Sequence, residues 1–157
     1  GSGGPSSDAG RGGSGGSGRG ARAARWVLRF NTRATRDYLV QLEGLGASIA
    51  FPQRGDEFLY VHNPGSNPRK ERRSLAGEIR INWVDNDRQT VAKVCGALGI
   101  TPAPVMLAFL PEEREEKLLR QELAYNNLEE DEILSTTFQV VKRGGGYDTV
   151  VASQTPR

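Results

Sequence analysis

One cysteine, one histidine and one methionine in 157 residues leave little material for metal, redox or histidine-relay chemistry. Cys95 has no second thiol for an intrachain disulfide, and no Cys/His cluster supplies the four ligands of an ordinary zinc site. His62 is the single candidate for any histidine-based relay. No Gly-x-Ser-x-Gly elbow is present, and of the serines only Ser66 follows the histidine closely in sequence. Long hydrophobic runs are missing too. The strongest one, residues 105–110, falls far short of the roughly 20 residues that a membrane-spanning helix needs, so no membrane insertion by this segment is expected.

A strong charge of one sign is also absent, once the chain is divided. Residues 1–25 hold Arg11, Arg19, Arg22 and Arg25 against Asp8, a net +3, which leaves residues 26–157 at −1 out of the chain's +2. A near-neutral folded part has no global field to draw in nucleic acid or an acidic surface, and any such attraction must come from a local patch.

What the sequence has in excess is glycine at its start. Residues 1–25 read as a disordered Gly/Ser/Arg-rich linker, because residues 1–20 contain no large apolar side chain to offset the entropy of ordering them. Gly10-Arg11-Gly12-Gly13 and Gly18-Arg19-Gly20 resemble arginine-glycine RNA-binding repeats, but only two units occur and no aromatic residue interleaves them for stacking. The first residue is Gly, which leaves room upstream for a signal, an anchor or a transmembrane segment.

Residues 26–157 read as one α+β domain. The stretch it is organised around is 78–109. Ile79, Ile81 and Trp83 alternate as in a half-buried strand, Val91, Cys95 and Leu98 follow at helical spacing, and 105–109 is a short buried strand. Before it, residues 26–30 suit a strand, and Tyr38, Leu42 and Leu45 mark a helix that Thr32 or Thr35 can cap and Gly46 can end. Residues 47–51 and 57–62 then form a hairpin. Two prolines and a glycine make residues 63–73 a loop. Asp87 can cap the helix that ends at Gly99. Pro111 and four following glutamates open a helix over residues 112–127, and two long strands joined at Gly144-Gly145-Gly146 close the chain as a hairpin. The order is β-α-β-β-loop-β-α-β-α-β-β, a two-layer mixed sheet with about three helices. A shift of 53 residues lays the first strand–helix unit on the second, including Gly46 on Gly99, which suggests a duplication.

Candidate sites are few. Cys95 lies on an apolar helix face, where a buried inert thiol is expected. Asp85-Asn86-Asp87 starts like a calcium loop but lacks its central glycine and terminal glutamate. Gly144-Gly145-Gly146 precedes a strand rather than a helix, so it makes no phosphate cradle. The sequence therefore nominates no catalytic, cofactor-binding or metal-ligating residue, requires no cofactor, and leans against an enzyme. The remaining patch is basic: Arg69, Lys70, Arg72 and Arg73 at the end of the loop. The resulting expectation is a non-enzymatic interaction or scaffold domain on a flexible arm, with another protein as partner. The alternative is nucleic-acid or phosphate binding through the basic loop and the Arg/Gly arm. The C-terminal hairpin is a further candidate surface for a partner strand, unless Arg143 or Lys142 protects its edge.

Overall fold

A computed structural model of the chain describes residues 19–75 and 83–157. The glycine-rich stretch of residues 1–18 and most of the strand expected over 78–83 lie outside the described residues. The described elements run in the order α1 (Arg19–Arg25), β1 (Trp26–Arg29), α2 (Thr35–Gly44), β2 (Ser48–Pro52), β3 (Glu57–His62), β4 (Arg69–Ser74) and β5 (Trp83–Asp85). They continue with α3 (Arg88–Leu98), β6 (Met106–Phe109), α4 (Glu112–Asn126), a 3-10 turn (Glu130–Glu132), β7 (Ile133–Arg143) and β8 (Gly146–Pro156).

The chain is α+β, and its strands divide between two sheets. Five of them form an antiparallel sheet in the order β4-β3-β2-β6-β5, and three form a mixed sheet in the order β1-β7-β8, where β1 runs parallel to β7. One apolar core serves both sheets. Leu39, Leu42 and Leu45 of α2 and Val91, Val94 and Cys95 of α3 meet Ile49, Val61 and Met106 of the larger sheet and Trp26, Phe138 and Val140 of the smaller one. The opposite face of the larger sheet carries a second cluster of Ala50, Tyr60, Leu107 and Phe109. Alternation explains the division, because successive residues of a strand face opposite sides of its sheet.

Two sequence assignments change. The linker expected through residue 25 is replaced over residues 19–25 by α1. Arg25 there is only 5% exposed and donates to the fully buried Glu122 at 2.7 and 2.8 Å and to Glu130 at 2.8 Å. An ion pair across 97 residues leaves no trace in local composition. The loop expected over residues 63–73 is shorter, since Arg69–Ser74 form β4, paired residue for residue with all of β3. Arg, Lys and Glu are poor strand formers in general, but an edge strand exposed on both faces has no burial to lose from them.

The caps follow the sequence in part. Asp87 accepts from the backbone N–H groups of Gln89 and Thr90, as its position predicts. Neither Thr32 nor Thr35 caps α2, whose N-cap is Ala34 without a side-chain bond. Buried Gln41 instead reaches back to the preceding loop, donating to the carbonyl of Asn31 and accepting from its N–H. The suggested duplication extends to the helices and their exits, where Gly46 and Gly99 adopt φ of 81° and 69°. It does not extend to the strands: β1 lies parallel to β7 in one sheet, and β5 lies antiparallel to β6 in the other.

Candidate binding edge

The basic patch is one edge of the five-stranded sheet, and a pinned hairpin tip holds it there. Between β3 and β4 the chain turns over α2, where the Glu43 carboxylate accepts from the N–H of Gly65 at 3.0 Å and from the Ser66 hydroxyl at 2.7 Å. Gly65 packs so closely on this helix that a Cβ would stand 2.8 Å from the Leu39 carbonyl oxygen and from the Val40 Cα. Only glycine fits this approach, which makes β4 a fixed arm of the fold.

Strand alternation splits the four nominated residues between two faces. Arg69, Glu71 and Arg73 share one face with Phe58, Tyr60 and His62, while Lys70 and Arg72 share the other with Leu59 and Val61. On the first face charges are already engaged. The Arg73 guanidinium lies 3.9 Å from the centroid of the Tyr60 ring, a cation–π contact, with its Nε 3.9 Å from Glu71. His62 connects three strands, its Nδ1 3.0 Å from the Ser48 hydroxyl on β2 and its Nε2 3.2 Å from the Glu71 carboxylate on β4. That hydrogen bond holds the Glu71 carboxyl below its ordinary value, with Arg73 and Arg69 adding to the effect. The serine–histidine–glutamate chain is a cross-strand tie. With Nδ1 accepting from Ser48, Nε2–H is free to donate to Glu71 and so fixes β4 against β3.

On the second face the cations are nearly unengaged. Lys70 makes no ion pair among the described residues, and Arg72 reaches only Glu57, at 3.7 Å with both side chains well exposed. They line an open cleft of about 340 Å³ together with Glu71 between them, Leu59, Gln53 and the Gly99-Ile100-Thr101 exit of α3. The C-terminal end of that helix carries partial negative charge, which Lys70 and Arg72 face with the favourable sign. All six residues of β4 are exposed, and no strand lies on its outer side among the described residues.

The other sequence candidates do not converge on this edge. Cys95 is fully buried in the core, and burial pushes its thiol up. Among the described residues no group of His, Cys, Asp and Glu side chains is placed to hold a metal ion. The C-terminal hairpin supplies another edge strand, β8, but its edge is occupied by side chains. The Thr149 N–H donates to Asp148 and the Thr149 carbonyl accepts from Gln121, taking groups that a further strand needs. Asp148 is itself held by Arg114, Lys117 and Arg143, so the expected protection by Arg143 is present but indirect. What the sequence could not show is the juxtaposition of Ser48, His62 and Glu71, or the approach of the Gly99–Thr101 segment to the basic residues. Compared with protein-family models, with curated proteins and with solved structures, the chain matches none.

Proposed function

We propose that the chain is a protein-interaction module that takes an extended partner segment as an added strand along β4. The observation that carries this reading is an exposed strand with no strand on its outer side among the described residues, carrying the solvent-exposed cations Lys70 and Arg72 on its cleft face and held in place by a hairpin tip that packs Gly65 against α2. Backbone pairing supplies affinity in such complexes and side-chain charge supplies selection. An acidic partner satisfies both. A second copy of β4 does not, because four cations would oppose four cations across the new ladder, and like charges placed directly opposite destabilise a sheet.

Nucleic acid fits the edge less well. Phosphate neutralisation needs only charge, but sequence-tolerant binding of single strands also stacks bases on exposed rings. Tyr60 is 1% exposed beneath Arg73, and Phe109 is buried. Hydrogen exchange on the whole chain, with and without a glutamate-rich extended peptide and separately with single-stranded RNA, tests the reading. Slowed exchange along β4 with the peptide supports it. Protection of β4 by RNA alone, with a steep salt dependence, overturns it in favour of phosphate binding.

A further inference from the structure

We infer that the partner strand carries carboxylates at alternate positions on one face, with a neutral or basic residue between them where it passes Glu71. This inference rests on the strand-addition reading of β4 and specifies the chemistry of its occupant. The side chains of an added strand alternate in step with those of its neighbour, so each partner residue faces one β4 residue on the same side of the sheet. Lys70 and Arg72 are two residues apart on the cleft side, the first without an ion pair among the described residues and the second in a long, exposed contact with Glu57. Carboxylates two residues apart on the partner meet both.

Between them, on the opposite face, stands Glu71. It bonds His62 at 3.2 Å and lies 3.9 Å from Arg73, so a partner acid directly opposite it would face a like charge already engaged there. At the three positions facing Lys70, Glu71 and Arg72, strand period and charge order therefore favour acid, non-acid, acid over a continuous acidic run. The partial negative charge at the end of α3 disfavours a phosphate dianion driven deep into the cleft.

The experiment compares two peptides of identical composition by isothermal titration against the whole chain. One has its glutamates at alternate positions, separated by threonine and valine, and the other has them adjacent. The alternating peptide should bind about fivefold more tightly, the size expected of two or three cross-strand charge pairs. Glu71→Gln should selectively improve the adjacent-glutamate peptide and shrink that ratio, while Lys70→Ala with Arg72→Ala should weaken the alternating peptide most. Equal affinities, with β4 protected from exchange by both peptides, overturn the charge pattern and leave strand addition intact. No protection of β4 by either peptide overturns strand addition and the pattern with it.

Discussion

The two sheets end in two very different edges. Along β8 the chain commits side chains to closing the edge: Gln121 and Asp148 occupy the backbone of Thr149, three cations hold Asp148, and Gln154 bonds the Glu122 carbonyl and the Thr136 hydroxyl. The β7–β8 ladder also carries two register shifts, which twist an edge away from regular pairing. Along β4 no strand among the described residues lies on the outer side, and four of its six residues are exposed cations. Charge is a selective form of protection. It repels a second copy and neutral strands gain little from it, yet it attracts an acidic strand. On the strand-addition reading proposed above, polar groups near β8 belong to stability and those on the cleft side of β4 to recognition.

Breaking the closed side should have the largest effect. Arg25→Ala leaves the fully buried Glu122 without its cation, and loss of one partner of a buried pair costs about 3–5 kcal/mol. The effect should depend on pH in opposite senses. In the native chain, burial alone would raise the Glu122 pKa, but the hydrogen bonds from Arg25 and Thr136 and the Arg25 charge outweigh it and hold the carboxyl below its ordinary value. A carboxylate lowered on folding contributes stability above its unfolded pKa and loses it as pH falls through the folded value. In the variant, desolvation dominates, the folded pKa rises above the unfolded one, and the deficit should shrink as pH falls toward 4. Urea denaturation of both forms between pH 7 and pH 4 checks this, and a deficit that is constant across the range would contradict it.

Next comes the anchor of the open side. Gly65→Ala drives a Cβ into the backbone of α2, and overpacking of this kind costs about 1–3 kcal/mol. Unlike Arg25→Ala, it should speed exchange in β3 and β4 more than in β7, and should abolish peptide protection of β4. Smaller still is Gln121→Ala, which frees the carbonyl of Thr149 and the hydroxyl of the same residue. A lost hydrogen bond costs about 1 kcal/mol, but the sharper readout is self-association by light scattering, which should rise as the β8 edge opens.

How much of this contrast could be read in advance follows from the range of the interactions. Alternation in residues 57–62 and the spacing of Val91, Cys95 and Leu98 are local, and they correctly give β3 and α3. Asp87 caps α3 because capping spans three residues. Propensity reads β4 as loop because it weighs Arg and Lys for an average strand, whereas this one lies at an edge with both faces in solvent. The four basic residues were legible as a patch, but their division between two faces was not, since that division requires β4 to be a strand. Arg25 and Glu122 stand 97 residues apart, so no window along the chain connects α1 to the fold.

The smallest expected stability effect is the most discriminating for function. Lys70 and Arg72 are exposed, one without an ion pair among the described residues and the other in a contact of 3.7 Å that solvent screens. Replacing both with alanine should change stability by no more than about 0.5 kcal/mol, the usual range for surface positions away from structural features. A modest gain is also consistent, because removing neighbouring like charges relieves repulsion along the strand. The melting temperature of the double variant should therefore match that of the native chain while its binding to an alternating acidic peptide falls severalfold. If the variant instead melts several degrees lower, these cations stabilise the end of α3, and the division between a structural edge and a recognition edge does not hold.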